Sequence, residues 1–477
     1  MVVLQWALLI LITLVALATA CHSLLYKRDP RAALGWIAVC LLYPLLGPVL
    51  YVLFGVNRVQ TRARKLGQRW PPFLYVGYER PEDEDSAVLS SLEVPEAVKT
   101  ITRISDAVTR RPLVGGNKIK PLHNGEQVYP AMLEAIDQAE RTLFLSTYIF
   151  ETNDTGLRFI DALARAARRG VDVRVSIDGI GELYSMPRAG TLLERQGVRV
   201  ARFLRPRLIP LELHINLRNH RKILVADGTT CFIGGMNIGD RHLAENVDNP
   251  NRVVDAHFQL DGPVVTQIEE VFLEDWGFST GEHAVPSHAS AFKTSSSICR
   301  AIVDGPNEDL DKLSTILVAA VSAARQRISI MTPYFLPSRE LLSALQSAAL
   351  RGIAVTILLP VKNNLPFVHW ATRNMLWELL ERGVKVFYQP PPFVHTKLFV
   401  VDQHYALIGS ANIDPRSLRL NFELGVEVFD SQFAGILSAH IQRSIERSVE
   451  VALEDLDGRP LPVRVRDALA WLFSPYL

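Results

Sequence analysis

Two short stretches of this 477-residue chain carry the side chains for one reaction. The first reads His220, Arg221, Lys222, an apolar run from Ile223 to Ala226, Asp227, and later Gly234, Gly235, Met236 and Asn237. The second reads His395, Thr396, Lys397, Leu398 to Val401, Asp402, then Gly409, Ser410, Ala411 and Asn412. The shared His, Lys, Asp, Gly and Asn recur with one displacement, 175 residues. Alternate residues of a strand project from one face, so His220 with Lys222, and His395 with Lys397, can point at one ligand. Thr396 and Leu398 then face into packing. Paired imidazoles offer a nucleophile and an acid, and paired lysines supply the charge that a phosphate needs. One such pattern arises by chance in a long chain; two, each with the same downstream Gly and Asn, are a repeat. The expectation is a single site built from two halves.

The motifs are similar to those of the phospholipase D superfamily, whose signature His-x-Lys-x4-Asp, followed by Gly-Ser-x-Asn, is used twice. The first copy departs from it, with Gly235 where the family often has Ser; Asn237 is retained. Gly234 to Asp240, and Asn412 to Ser417 with Asn421 and Glu423 beyond, narrow the likeness to bacterial cardiolipin synthases, over nearly the whole chain. The resemblance implies an α/β fold: two phospholipase D-like halves, each a mixed sheet flanked by helices, around one shared site. A two-helix transmembrane hairpin would precede them.

For the chemistry, the resemblance implies that His220 attacks phosphorus and that His395 is the acid and base. The symmetry of the two copies does not by itself settle those roles. No Cys/His cluster has zinc spacing, so neither a metal nor another cofactor is expected. Lys222, Lys397, Asn237 and Asn412 are then the donors to the phosphoryl oxygens, with Gly234, Gly409 and Ser410 beside them around the substrate. Asp227 and Asp402 complete the signature and stand with its catalytic set. Their place five residues past each lysine nevertheless suits turns and strand ends better than chemistry. Asp255 and Glu423 would each hold the far nitrogen of an imidazole, as the family's supporting carboxylates do; a surface carboxylate is the other reading of Asp255. The implied reaction joins two phosphatidylglycerol molecules into cardiolipin and releases glycerol. The alternative is a phospholipase D or phosphodiesterase that uses water. Which lipid supplies the second phosphatidyl group, and the oligomeric state, stay open.

The rest of the chain must position these residues. Formal net charge is +1, without the basic excess of a nucleic-acid binder. Nucleic acid is therefore not an expected partner; the resemblance implies phosphatidylglycerol and other anionic phospholipids, and a membrane, instead. Four isolated cysteines make no disulfide framework. Val2 to Leu25 and Ala32 to Phe54 are each apolar over enough residues to cross a bilayer. A cleaved signal peptide fits the first less well, since no Lys or Arg precedes it. Five basic residues after the second stretch (Arg58, Arg62, Arg64, Lys65, Arg69) outnumber the three between the stretches (Lys27, Arg28, Arg31). That imbalance favours a multi-pass protein of the cell membrane with its body in the cytoplasm.

The expected divisions are a hairpin over 1–57, a connector over 58–115, a first half over 116–290 and a second half over 291–477. Within the connector, Trp70-Pro71-Pro72 and the acidic Pro81 to Asp85 read as linker. In the first half, Val128 to Gln138 reads as a helix, Thr142 to Thr147 as a strand, then a helix ending at Gly170 and an alternating strand from Val171 to Ile177. The second half repeats this: strand Ile328 to Thr332, a helix ending at Gly352, strand Ile353 to Leu359. A helix and strand recur over Leu192 to Phe203 and Met375 to Tyr388, and a Ser-rich stretch from Glu282 to Ser297 separates the halves. The tail from Leu461 to Leu477 has two readings, a packed terminal helix or a segment seated among lipid headgroups.

Overall fold

The computed structural model describes residues 2–27, 30–55, 96–205, 217–287, 295–306 and 311–474. The chain divides into two units, residues 1–65 with 206–216, and residues 66–205 with 217–477. The connector's Trp70 to Pro72 and Pro81 to Asp85, and Tyr476 of the tail, lie outside the described residues.

In the smaller unit a helix over Val2–Tyr26 is long and apolar enough to cross a membrane, and nearly all its side chains are exposed in the protein alone. The second apolar stretch is broken. A 13-residue helix, Pro30–Leu42, is followed by a turn and a short helix, Leu46–Leu50. The chain folds back so closely that a Cβ on Gly47 would lie 2.3 Å from the Val39 carbonyl oxygen. Pro44, Gly47 and Pro48 supply this break. At 1.5 Å per residue the first of these pieces spans only about 20 Å. Within the unit, Ser23 Oγ donates to the Ala33 carbonyl (3.4 Å), and His22 Nδ1 meets the Tyr51 hydroxyl at 2.8 Å.

The larger unit is built on a repeat. The strands up to residue 261 are β1 (Val114–His123), β2 (Thr142–Thr147), β3 (Asp172–Asp178), β4 (Arg199–Phe203), β5 (Arg218–Asn219), β6 (Ile223–Ala226), β7 (Thr230–Gly234), β8 (Val253–Val254) and β9 (Ala256–Asp261). From residue 297 they are β10 (Ser297–Asp304), β11 (Arg327–Met331), β12 (Ala354–Pro360), β13 (Lys385–Gln389), β14 (Phe393–Val394), β15 (Leu398–Val401), β16 (Tyr405–Gly409), β17 (Asn421–Phe429) and β18 (Val449–Glu450). β2, β3 and β4 run parallel, as do β11, β12 and β13. Each set is extended by an antiparallel hairpin, β6–β7 or β15–β16. Antiparallel pairing of β1 with β10 joins the two sets into one sheet of sixteen described strands, while β8 and β14 pair in a separate two-stranded sheet.

Local sequence explains the repeated parts. The helices Asp154–Arg168 and Arg339–Leu350 start on matching caps: Asn153 accepts from the Gly156 N–H and Ser338 from the Leu341 N–H. Such a cap contributes about 1 kcal/mol. Both helices are followed by a glycine with positive φ, Gly170 or Gly352, which allows the reversal into the next strand. β6, β7, β15 and β16 are buried almost throughout, hence their continuous apolar runs.

One correction concerns the connector. Its last part is a helix, Glu96–Thr109, whose Ala97, Val98 and Ile101 belong to the core of the larger unit. A fully buried Arg300 pins this helix to the sheet, paired with Asp106 and lying 2.8 Å from the equally buried Glu427, which also accepts from Ser105. The tail helix, Leu461–Leu472, packs with Asp467 and Ala470 buried. Asp467 is ion-paired there to Arg373, Arg459 and Arg466.

Candidate active site

The motif histidines sit at the start of the strands that their lysines lead into. His220 follows β5 and Lys222 precedes β6; His395 follows β14 and Lys397 precedes β15. β5 and β14 are only two residues long, and each pairs in parallel with a segment of the other half. Arg218 and Asn219 pair with Asn421 and Phe422, while Phe393 and Val394 pair with Val253 and Val254. The register continues into the motif: the His220 N–H donates to the Phe422 carbonyl (2.9 Å) and the His395 N–H to the Val254 carbonyl (2.8 Å). The next residue in each partner segment is a carboxylate, Glu423 or Asp255. Each imidazole therefore faces the acid from the opposite half. His220 Nδ1 lies 3.0 Å from Glu423, and His395 Nδ1 lies 2.8 Å from Asp255.

This crossing fixes the tautomers. A carboxylate can only accept, so Nδ1 of each ring carries the proton and Nε2 presents its lone pair. Both carboxylates are fully buried, whereas each histidine side chain keeps 12 % of its surface exposed, enough for a reacting atom to reach it. Burial lowers the His220 pKa, partly offset by Glu423. At His395 burial and the Lys397 ammonium together bring it to about 4, against the pull of Asp255. Without substrate both rings are neutral at neutral pH. Burial alone would raise the two acids; the facing histidines and lysines outweigh it and hold both ionised.

The lysines complete a compact positive site. Lys222 Nζ donates to the His220 carbonyl and Lys397 Nζ to the His395 carbonyl, each at 2.7 Å. Lys397 Nζ also lies 3.0 and 3.1 Å from the two ring nitrogens of His395. Burial lowers Lys222 to about 7 and Lys397 to about 8, so an arriving anion would be met by ammonium groups short of counter-charge. Asn237 Oδ1 accepts from the Ile149 N–H (3.1 Å), leaving its amide protons as donors. Asn412 donates to Ser417 Oγ (3.1 Å). Among the described residues no three His, Cys, Asp or Glu side chains are grouped to hold a metal ion.

Four of the expected site residues do other work here. Asp227 and Asp402 sit at the far ends of β6 and β15, roughly 16 Å along the chain from their lysines at 3.3 Å per residue. Both take positive φ, 52° and 53°. Asp227 accepts from the N–H groups of Glu140, Arg141 and Thr142, and Asp402 from those of Arg325, Gln326 and Arg327. Each clamps its hairpin to the strand beside it. The glycines Gly234 and Gly409 have φ of 150° and 148°, and a Cβ would lie 2.6 Å from His257 Nδ1 or 2.1 Å from the Leu424 carbonyl oxygen. They permit close strand packing.

Ser410 donates to Glu423, so the motif hydroxyl holds the carboxylate that holds His220. At Gly235 a Cβ would lie 2.6 and 2.8 Å from the Asp255 oxygens. The glycine that departs from the family pattern thus makes room for the other carboxylate. Two tyrosines outside the expected set also flank the site. Tyr148 and Tyr334 end matching strands, and their rings lie 5.4 Å from His220 and 6.2 Å from His395. Tyr148 also lies beneath Lys222 Nζ at 5.6 Å. Their recurrence beyond matching Thr residues was the available signal.

Comparison with known proteins adds the family. A family model described as "Cardiolipin synthase, PLD-like domain" matches residues 132–276 and again 317–445. The chain belongs to the phospholipase D-like cardiolipin synthase family. A second model, "Phospholipase_D-nuclease N-terminal", matches residues 6–55. The chain is 31% identical over 465 residues to the major cardiolipin synthase of Bacillus subtilis (strain 168), covering 94% of this chain and 95% of that one. It is 32% identical over 476 residues to cardiolipin synthase A of Pseudomonas aeruginosa (strain LESB58), covering 98% and 96%. Among solved structures it superposes on a phosphatidylserine synthase of Haemophilus influenzae Rd KW20 with TM-score 0.61 at 16% identity, over 79% of this chain and 100% of the other, a likeness of fold.

Proposed function

We propose that this protein is a membrane-anchored phosphatidyltransferase that makes cardiolipin from two phosphatidylglycerol molecules. The observation that carries the reading is the crossed pair of histidines, each with Nδ1 on a buried carboxylate and its own lysine alongside. In the first step His220 Nε2 attacks phosphorus of one phosphatidylglycerol. The P–N bond forms, the bond from phosphorus to the headgroup glycerol oxygen breaks, and protonated His395 gives its proton to that oxygen. The negative phosphodiester supplies the charge that raises the His395 pKa enough for this. Lys222, Lys397 and Asn237 donate to the non-bridging oxygens. In the second step His395 takes the proton from the headgroup hydroxyl of a second phosphatidylglycerol, whose oxygen displaces His220 from phosphorus.

The test is the intact mass of each variant after mixing with a nitrophenyl phosphatidyl substrate, whose leaving group needs no proton. His395→Ala should accumulate an acid-labile phosphatidyl adduct and His220→Ala none. The reverse pattern would exchange the two roles, and no adduct in any variant would favour direct transfer between lipids. Labelled phosphatidylglycerol converted to phosphatidic acid, with no cardiolipin formed, would instead make the enzyme a hydrolase.

The anchor in this reading is the Val2–Tyr26 helix with the apolar stretch Ala32 to Phe54 as a second inserted segment, the catalytic body lying in the cytoplasm. The basic residues from Arg58 to Arg69 support that orientation. A cysteine placed within Pro81 to Asp85 should resist an impermeant reagent added to sealed cells; labelling from outside would reverse the topology.

A further inference from the structure

The site lies beside two exposed apolar edges that its own chemistry does not use. On the first half, Tyr148 stacks edge-on with Tyr184 (6.2 Å). Tyr184 belongs to the turn after β3, where Leu183, Tyr184 and Met186 are all about half exposed or more. On the second half, the Tyr334 hydroxyl donates to Asn364 Oδ1 (2.7 Å) in the loop after β12. That loop runs into Leu365 and Phe367, both exposed, and Phe367 meets Phe473 of the tail (6.2 Å). Val465, Leu469 and Leu472 recur along one side of the tail helix at helical spacing, each about half exposed or more, opposite the buried Asp467 and Ala470. Both edges reach the same site through these tyrosines, Tyr148 lying 5.4 Å from His220 and Tyr334 6.2 Å from His395.

Charge on these segments has one sign. Their only carboxylates, Glu182 and Asp467, are buried and paired to arginines. Lys362 and Arg464 are exposed and Arg188 and Arg466 half-buried. A soluble face would mix signs; an apolar ridge edged with basic groups suits an anionic lipid surface.

We propose that the turn after β3 and the face formed by the loop after β12 with the tail helix are a two-part rim that seats the catalytic unit in the headgroup layer of an anionic bilayer. The rim lets a lipid pass from the leaflet to His220 and His395 while its acyl chains stay against apolar side chains. The proposal rests on the phosphatidyltransferase reading.

The test uses the full chain in vesicles of phosphatidylglycerol and phosphatidylcholine, in a Cys21→Ser background, since the other three cysteines are buried. An environment-sensitive fluorophore is attached at Leu469→Cys or Met186→Cys. Leu350→Cys, exposed at the opposite end of β12, is the reference. Nitroxide-bearing lipids should quench the first two labels and aqueous iodide the third. Iodide quenching at Leu469 or Met186 would overturn the proposal. So would protection from both quenchers, which would point to a second copy of the chain on this face. In parallel, the Met186→Asp, Leu469→Asp, Phe473→Asp triple variant should lose about tenfold in turnover on vesicle lipid relative to its own turnover on monomeric short-chain phosphatidylglycerol. An unchanged ratio would refute the rim. A wild-type protein inactive on both substrates would refute the underlying reading instead, with the quenching result still deciding the rim.

Discussion

Replacing Glu423 by Gln tests whether the crossed carboxylate drives the chemistry or only packs beside it. As His220 forms its bond to phosphorus, positive charge develops on the ring while Glu423 lies 3.0 Å from Nδ1. With an effective dielectric of about 20, one unit charge at that separation contributes about 5.5 kcal/mol, or roughly four decades in rate at about 1.4 kcal/mol per decade. Glutamine can still accept from Nδ1 and preserve the tautomer, so part of that survives as an ion–dipole contact. The expected loss in the rate of adduct formation is about 10³–10⁴. The fold should persist, because the amide fills the same volume and Asp255 still supplies negative charge to the buried Lys222. Rapid-quench measurement of the adduct from the nitrophenyl substrate, with a thermal melt as control, separates the two effects. The crossing adds a second arm. Asp255→Asn should leave adduct formation from this substrate within tenfold of wild type and slow its transfer to the acceptor, because Asp255 serves His395. Adduct formation in Glu423→Gln within tenfold of wild type, at unchanged melting temperature, would refute the reasoning. A large loss of formation in Asp255→Asn, with none in Glu423→Gln, would refute it too.

Lys222→Ala and Lys397→Ala should each reduce turnover by about 10²–10³, the usual effect of removing one donor to developing charge, with a smaller change in KM; wild-type turnover in either would remove that lysine from the site. The adduct-forming rate should fall as pH rises through 7 to 8, where Lys222 and Lys397 lose their protons. It should persist below the ordinary imidazole range, since burial keeps His220 neutral there; a limb at ordinary lysine pKa would contradict this. Arg300→Ala strands the buried Glu427 and should destabilise the protein by about 3–5 kcal/mol in urea. A change under about 1 kcal/mol would mean that the Asp106–Arg300–Glu427 pairing does not hold the 96–109 helix down.

What could be read from the chain alone was whatever depends on neighbours in sequence. His and Lys two apart share a strand face by backbone geometry, so the candidate groups and the duplication of the motif could be read without a fold. The strands and helices of each repeat followed likewise from apolar period, caps such as Asn153 and Ser338, and terminal Gly170 and Gly352. The helix 96–109 was missed because its apolar stripe is short and lies beside a linker-like composition. Only the tertiary structure decided which acid serves which histidine. That depends on two-residue pairings, β5 with β17 and β8 with β14, between segments far apart in sequence. Two residues carry no periodic signal, and nothing local distinguishes Asp255 from a surface carboxylate. The turn and strand-end roles of Asp227 and Asp402 could be read from their distance to the lysines. The backbone groups they hold, and the carboxylate that Ser410 holds, could not, because those partners are set beside them only when the sheet closes.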